Sequence, residues 1–195
     1  LVARSEAKLI DAQHELNVRI ACGDVANRTF VRRVLSGATG VFHLAGFKHL
    51  PLAEEQCLEC IRTNVLGSIN VLEESMYAQP LFVIATSTDK AYNPVNCYGM
   101  TKRLMEYLFA QFERETHETN RPMFIPPAYR IVRYGNVLGS TGSVIEIWKK
   151  QIVAGKPITL TDPDMTRYFF TVQDAVKTIF DCLETSTSAT PFIPA

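Results

Sequence analysis

The stretch Leu81-Phe-Val-Ile-Ala-Thr-Ser-Thr-Asp-Lys90 begins with five apolar residues and ends with five polar ones. A short, continuous apolar run is typical of a strand that is buried on both faces of a parallel sheet. The hydroxyl, carboxyl and amine groups that follow would then lie at the carboxyl end of that strand. Ligands of open α/β sheets bind at this edge. The stretch therefore predicts both a class of fold and the place of a site.

The segments on either side alternate between apolar runs and patterns of helical period. Besides 81–85, strands are predicted at 18–22, 40–45, 128–134 and 158–161. Helices are predicted at 28–35, 53–78, 97–116, 143–154 and 171–184. This alternation predicts an α/β fold with a Rossmann-like, doubly wound parallel sheet. The polar, proline-containing segment 185–195 is expected to fray.

Composition excludes several classes of protein. The 195 residues carry 20 Lys+Arg and 20 Asp+Glu, so the formal net charge is zero and no nucleic-acid partner is expected. No apolar run reaches the ~18–20 residues of a membrane-spanning helix, so no membrane segment is expected. Five cysteines, an odd number, fit reduced thiols in a cytoplasmic protein.

Two groups of residues with metal-binding or redox side chains are set aside. Cys57 and Cys60 have the spacing of a redox motif, but they fall in the helical pattern and lack a second pair for zinc. We interpret them as incidental helix residues. The four histidines show no metal-ligand spacing, and no metal site is expected.

Tyr98 and Lys102 are four residues apart in a predicted helix and therefore share one face. An ammonium beside a phenol lowers the pKa of the phenol from ~10 toward the range of an acid–base catalyst. Alone, this spacing is common on solvated helices. Thr88, Asp89 and Lys90, however, leave the buried strand ten residues earlier and would face the same crevice. The combination favours a catalytic site over a capped turn with a surface ion pair.

Five stretches carry a resemblance to a known family: VFHLAGFKHLPLAEE (41–55), IRTNVLGSINVLE (61–73), STDKAYNPVNCYGMTKRLMEY (87–107), RYGNVLGSTGSVIEIWKKQI (133–152) and LTDPDMTRYFFTVQDAV (160–176). The sequence resembles the extended short-chain dehydrogenase/reductase superfamily. Within it, the sequence is most similar to the inverting UDP-N-acetylglucosamine 4,6-dehydratases of polysaccharide biosynthesis.

The resemblance implies catalytic roles. Tyr98 would take the proton of the sugar 4-hydroxyl while NADP accepts hydride from carbon 4, with Thr88 hydrogen-bonded to the same oxygen. Lys102 would hold the cofactor ribose and lower the pKa of Tyr98. Lys90 would then remove the carbon 5 proton, and Asp89 would protonate the departing 6-hydroxyl. A base at Lys90 must be a neutral amine, which requires burial or a nearby cation.

The resemblance also implies binding roles. Asp24 and Val25 would border the adenine, Ala45 and Gly46 would let the backbone approach the dinucleotide, and Asn64 would lie near the nicotinamide. The substrate would contact four residues: Lys48, His49, Asn136 and Arg167.

One position bears on the choice of nicotinamide cofactor. NAD-specific relatives keep an acidic residue where this chain has Ala3, and Arg4 follows it. An arginine without the carboxylate favours a 2′-phosphate and therefore NADP, with NAD as the alternative.

The resemblance divides the chain into a partial NAD(P)-binding Rossmann domain at 1–135 and the start of a nucleotide-sugar-binding region at 136–195. No G-x-G-x-x-G turn is present, although relatives begin with such a phosphate-binding unit. We therefore expect a fold truncated at both ends, with its first βα unit missing. The isolated chain is expected to be inactive or weak, and the whole protein to be a homo-oligomer.

Three hypotheses follow. The first is a lyase, an NADP-dependent UDP-N-acetylglucosamine 4,6-dehydratase. The second is a UDP-sugar 4-epimerase, which uses Tyr98 and Lys102 but needs no acid–base pair for elimination. The third is a truncated, catalytically silent nucleotide-binding protein. Asp89 and Lys90 favour the dehydratase, whereas the missing glycine-rich turn favours the silent protein.

Overall fold

The computed structural model describes residues 1–118, 124–140, 143–160 and 162–194. Its strands are β1 (Val2–Ala3), β2 (Ala21–Cys22), β3 (Gly40–His43), β4 (Phe82–Thr88), β5 (Ala128–Tyr134), β6 (Asn136–Val137) and β7 (Phe169–Phe170). Its α-helices are α1 (Glu6–Leu16), α2 (Arg28–Leu35), α3 (Leu50–Glu55), α4 (Cys57–Ile61), α5 (Gly67–Ala78), α6 (Cys97–Glu118), α7 (Val144–Val153) and α8 (Val172–Thr185). Within these ranges, no helix is both long and apolar enough to cross a lipid bilayer.

All strand pairs of the described residues are parallel. The central ladder has the order β3-β4-β5, while β1 pairs with β2 and β6 pairs with β7. Parallel neighbours need crossover connections, and helices supply them between β1 and β2, β3 and β4, and β4 and β5. The predicted α/β architecture with a parallel sheet is confirmed.

Strand β4 is covered on both faces, as its apolar run predicts. Val83 and Ala85 belong to a core cluster that also contains residues of α2, α5 and α6. Ile84, which points the opposite way, packs with Ile179 and Cys182 of α8. Helices on both faces of one strand make the fold doubly wound.

The prediction of one continuous helix over 53–78 is wrong. Gln56 has φ −122° and ψ 52°, which separates α3 from α4. A π-helical turn at Arg62–Leu66 then joins α4 to α5. Such a turn holds one residue more than an α-helical turn, so it shifts the side chains that follow without ending the helix.

The predicted strand at 158–161 is also wrong for residues 158–160, and Thr161 lies outside the described residues. The backbone N–H of Thr159 donates to Gln151 Oε1 at 3.2 Å, and its carbonyl accepts from Trp148 Nε1 at 2.8 Å. Both backbone groups are therefore bonded to side chains of α7 and do not join a ladder.

The segment expected to fray is instead bonded to β5 at Phe192 and to α6 at Ala189. Phe192 N donates to Ile131 O at 2.8 Å, and Phe192 O accepts from Arg133 N at 2.9 Å. The Ala189 N–H donates to the carboxylate of Glu113 at 2.8 Å. The backbone of this short tail finds partners in the sheet and in α6, which its polar composition did not indicate.

Candidate active site

The site begins where β4 ends. Thr88 is the last residue of the strand, and a short 3₁₀ turn follows at Asp89–Ala91. Thr88 Oγ1 accepts a hydrogen bond from Lys90 N at 3.4 Å and so caps the turn. The cap holds three predicted catalytic residues at the carboxyl end of a central strand.

Asp89 and Lys90 form an ion pair. Lys90 Nζ lies 2.9 Å from Asp89 Oδ1, and Thr88 Oγ1 donates to the same oxygen at 2.8 Å. Burial acts to raise the pKa of Asp89, but the hydrogen bonds from Lys90 and Thr88 oppose it and hold the pKa below its ordinary value. Lys90 Nζ also donates to Asn136 Oδ1 at 3.1 Å. Four predicted site residues are thus in direct contact.

Tyr98 reaches this cluster from the first turn of α6. A Cβ on the next residue, Gly99, would lie 2.3 Å from the carbonyl oxygen of Lys90, so only glycine permits this approach. Burial raises the pKa of Tyr98 to about 12, while a hydrogen bond with the Thr88 side chain acts in the opposite direction. The phenol therefore lies beside the hydrogen bond that joins Thr88 to Asp89.

Lys102 is buried one turn further along α6. Its Nζ donates to Thr86 O at 2.8 Å and contacts Met105 Sδ at 3.8 Å. Burial lowers the pKa of Lys102 to about 8. The expected lowering of the Tyr98 pKa is not observed, because loss of solvation dominates at Tyr98 and Lys102 is bonded to the backbone of β4.

Asn64 lies in the π-helical turn and clamps the loop after β3. Its Oδ1 accepts from Phe47 N at 2.7 Å, and its Nδ2 donates to Phe47 O at 3.0 Å and to Thr101 Oγ1 at 2.9 Å. π-Turns are frequent at functional sites. The amide of Asn64 therefore positions the loop, and its N–H donors are bonded within the protein and not directed at a ligand.

The Asn64 clamp brings Gly46 to Lys102. A Cβ on Gly46 would lie 3.4 Å from Lys102 Nζ and 3.5 Å from Asn64 Oδ1. A side chain there would fill the space in front of the ammonium. Gly46, Asn64 and Lys102, all predicted to border the cofactor, therefore meet at one place at the carboxyl ends of β3 and β4.

Beneath this loop, His43 is buried and bonded to Ser68. Ser68 Oγ donates to Asn64 O at 2.7 Å, so it accepts from His43 Nε2, 2.9 Å away. Burial, followed by the charge of Lys102, lowers the pKa of His43 to about 3.

The buried His43 leads to a prediction for stability. Its folded-state pKa is below the unfolded value of 6.5, so below pH 6.5 the unfolded chain binds the proton. The free energy of unfolding should then fall as pH drops from 6.5 toward 3, by up to ~1.4 kcal/mol per pH unit from this group. We expect His43→Gln to flatten this slope in urea titrations, and His14→Gln, at an exposed position, to leave it. An unchanged slope in His43→Gln would contradict the assignment.

A buried ionic network that the sequence analysis missed holds α6 against the sheet. Glu106 accepts from Ser87 Oγ at 2.6 Å and from Arg133 Nη2 at 2.5 Å. It therefore joins the end of β4 to β5 from within α6. Its position, eight residues after Tyr98 and on the same helical face, was the available signal.

A second group of predicted cofactor residues lies beyond the carboxyl ends of the paired strands β1 and β2. Arg4 Nη1 is 3.9 Å from Asp24 Oδ2, and Val25 O accepts from Asn70 Nδ2 at 2.9 Å. A cavity of about 350 Å³ is lined here by Cys22, Gly23, Asp24, Asn27, Thr29, Phe30 and Arg33. None of the catalytic candidates lines this cavity, so it is separate from the cluster around Tyr98. Of the residues predicted to bind the cofactor, Asp24 lines it.

The structure leaves three predicted substrate residues at the periphery. His49 Nδ1 accepts from Leu52 N at 3.4 Å and caps α3. Lys48 is exposed, and so is Arg167, whose Nη1 donates to Thr166 O. Arg167 nevertheless precedes β7, which pairs with β6 at Asn136.

A family model described as "Polysaccharide biosynthesis protein" matches residues 1–195. The chain belongs to this family. It is 40% identical over 178 residues to an uncharacterized membrane protein of Methanocaldococcus jannaschii, covering 90% of this chain and 52% of that protein.

Two further relatives of this chain have the names of enzymes. An inverting UDP-N-acetylglucosamine 4,6-dehydratase of Campylobacter jejuni is 34% identical, with 100% of this chain and 58% of the relative covered. A UDP-glucose 4-epimerase of Rickettsia rickettsii is 36% identical, with 94% and 53% covered. The chain thus spans about half the length of these curated relatives, which include both dehydratases and epimerases.

Solved structures of other proteins have the same fold as this chain. Pen from Bacillus thuringiensis matches with a TM-score of 0.88 and 30% identity, over 96% of this chain and 57% of that one. A dTDP-glucose 4,6-dehydratase of Streptomyces venezuelae, solved with NAD, matches with a TM-score of 0.84 and 18% identity, over 97% and 62%. The latter similarity bears on the fold alone.

Proposed function

We propose that this chain is part of an NADP-dependent UDP-N-acetylglucosamine 4,6-dehydratase, a lyase of surface-polysaccharide or glycan sugar biosynthesis. One observation carries the proposal. The Asp89–Lys90 pair is bonded to Thr88, and Tyr98 lies beside the Thr88 side chain, so an acid–base pair adjoins the oxidation site. A 4-epimerase has no step that requires this pair.

The residues around Lys102 fit a nicotinamide cofactor. The Lys102 ammonium has three N–H donors, and its contacts with Thr86 O and Met105 Sδ use two of them. A ribose hydroxyl would accept from the third, in the space that the absent side chain of Gly46 leaves open. A bound nicotinamide supplies a hydride acceptor for carbon 4 and a hydride donor for carbon 6.

The other end of the cofactor would lie after β2. The cavity lined by Asp24 suits an adenine ring, with Val25 beside it. Arg4 is exposed, and its 3.9 Å contact with Asp24 is loose, so its guanidinium can bind a 2′-phosphate. This favours NADP over NAD.

In the oxidation step, Tyr98 would act as the base. Its phenol oxygen must be ionised for this step, against the pKa of about 12 that burial gives Tyr98. It would then take the proton of the sugar 4-hydroxyl, with Thr88 hydrogen-bonded to the same substrate oxygen. The interaction with the Thr88 side chain opposes the effect of burial on the pKa of Tyr98, and the Thr88 hydroxyl itself donates to Asp89. The resulting 4-keto group makes the carbon 5 proton acidic.

The elimination step needs a neutral amine at Lys90 and a carboxylic acid at Asp89. The structure holds the opposite forms, an ammonium and a carboxylate, joined by a 2.9 Å hydrogen bond. Transfer of that one proton gives the forms that the reaction requires. Lys90 then removes the carbon 5 proton, Asp89 protonates the 6-hydroxyl, and water leaves. Asn136 would position Lys90 through its contact at 3.1 Å.

The decisive experiment uses the intact protein with UDP-N-acetylglucosamine and NADP, followed by mass spectrometry and NMR of the product. A nucleotide sugar lighter by one water, with a keto group at carbon 4, is the expected result. A product of unchanged mass that is inverted at carbon 4 would establish the 4-epimerase instead. Recovery of unreacted sugar alone would favour the catalytically silent protein.

Three properties of the whole protein stay predictions. These are the UDP-sugar partner, the homo-oligomeric state and the cytoplasmic location. The domain boundary between residues 135 and 136 also stays a prediction.

A further inference from the structure

Two cysteines from distant parts of the chain meet beside the candidate active site. Cys57 is the first residue of α4 and Cys97 is the first residue of α6, 40 positions later. Their Sγ atoms are 3.1 Å apart, with the thiol of Cys97 donating to Cys57. Cys57 is exposed and Cys97 is half-buried, so small oxidants reach the pair from solvent.

Neighbouring contacts hold the two thiols in place. Glu54 Oε1, at the end of α3, accepts from the backbone N–H of Cys97 at 2.7 Å. One turn beyond Cys57, Cys60 lies against Thr101 of α6, with Sγ 3.5 Å from the hydroxyl. The thiols therefore face each other across a packed helix contact.

We propose that Cys57 and Cys97 form a reversible disulfide, with a peroxide as the oxidant, and that this modification lowers the reactivity of the adjacent Tyr98. The two sulfurs are 3.1 Å apart and a disulfide requires about 2.05 Å, so they must approach each other by about 1 Å. Tyr98 follows Cys97 directly, so any part of this approach that the start of α6 takes up displaces Tyr98. Displacements of up to this size in a catalytic group are costly for rate.

The chemistry balances with one peroxide per disulfide. The Cys57 thiolate attacks one oxygen of hydrogen peroxide, the O–O bond breaks, and Cys57 sulfenic acid and hydroxide form. The sulfur of Cys97 then attacks Cys57 Sγ, the S–O bond breaks, and the second oxygen leaves as water. The protons of the two thiols complete the two waters, and the two sulfurs lose two electrons in total.

The two thiols have different parts in this sequence. Burial, and then the hydrogen bond with Cys57, raise the pKa of Cys97 to about 12, so it stays a thiol at neutral pH. Cys57 is exposed to solvent, and its sulfur lies 3.1 Å from that of the half-buried Cys97. Cys57 is therefore the sulfur that meets the oxidant, and Cys97 resolves the sulfenic acid.

The test treats the intact protein with hydrogen peroxide, alkylates the remaining thiols and maps the peptides with and without dithiothreitol. We expect a peptide linked through Cys57 and Cys97 that disappears on reduction. It should be lost in Cys57→Ser and in Cys97→Ser and kept in Cys22→Ser, at an exposed thiol elsewhere in the chain. A different pairing, or only sulfinic acid at Cys57, would overturn the proposal.

The effect on Tyr98 has its own readout and rests on the proposed function. In a single turnover with UDP-N-acetylglucosamine, oxidation of the protein should slow NADP reduction at least ten-fold, and dithiothreitol should restore it. Cys57→Ser should be insensitive to peroxide. If the linked peptide forms and the rate of NADP reduction is unchanged, the effect on Tyr98 is refuted and the disulfide stands. If the protein shows no turnover even before oxidation, the result contradicts the proposed function and not the disulfide.

Discussion

Lys90→Met in the intact protein is expected to slow water loss from UDP-N-acetylglucosamine by ~100-fold or more while leaving NADP reduction in the first turnover. Loss of a general base has an effect of this size. Lys90 Nζ contacts Asp89 and Asn136, whereas the oxidation step relies on Tyr98 and Thr88. The 4-keto sugar should therefore accumulate with reduced cofactor, detected by absorbance in stopped flow and by mass spectrometry after quenching.

Lys8→Met is the matched control for Lys90→Met, because it removes an exposed ammonium of α1 and leaves the Asp89–Lys90 pair intact. We expect its elimination rate to stay far above that of Lys90→Met. Unchanged elimination in Lys90→Met would show that another group removes the carbon 5 proton. Loss of NADP reduction itself would place Lys90 in the oxidation step.

Lys102→Met should abolish most activity and yet stabilise the protein. The pKa of Lys102 falls from 10.5 in the unfolded chain to about 8 in the folded one. At ~1.4 kcal/mol per pH unit, the buried ammonium costs about 3 kcal/mol at neutral pH, and methionine fills the same space without a charge. Loss of the ribose contact should lower kcat/KM by ~100-fold or more, mainly through KM for NADP.

The pH dependence of the free energy of unfolding provides a second test of Lys102→Met. The folded pKa of Lys102 is lower than the unfolded one, so the unfolded chain holds more protons between pH 8 and 10.5. The free energy of unfolding of the natural protein should rise across that window, and that of Lys102→Met should lack the rise. Lys149→Met, at an exposed lysine paired with Glu146, should change little. A destabilised Lys102→Met would mean that the Thr86 contact outweighs the burial of the charge.

The strand β4 and its polar end were predictable because all the information lies in one continuous stretch. An apolar run, a change to polar residues and a helix with Tyr98 and Lys102 on one face are local patterns. They place the catalytic candidates without knowledge of any distant contact. The parallel order of the sheet followed from the alternation of strands and helices.

The features that sequence reasoning missed depend on contacts between distant segments or on small departures from regular periodicity. The role of Asn136 in binding substrate stays a prediction, and no local pattern indicated its bond with Lys90, 46 positions earlier. The π-helical turn that contains Asn64 adds one residue to the helix. One extra residue changes the spacing of the apolar residues in the segment 53–78 too little to be recognised in the sequence. Glu106 pairs with Arg133 of β5, which is 27 positions away in the sequence.

Tyr98 lies beside Thr88, whose hydroxyl donates to Asp89, so these side chains give the proposed reaction a route for protons. Asp89 protonates the departing 6-hydroxyl with the proton that it received from Lys90, and Lys90 holds the carbon 5 proton until it returns to carbon 5. At that stage Tyr98 still holds the proton of the 4-hydroxyl, and Lys90 lacks the proton that left in the water. Transfer of the Tyr98 proton by way of Thr88 and Asp89 to Lys90 restores the starting forms without a proton from the solvent.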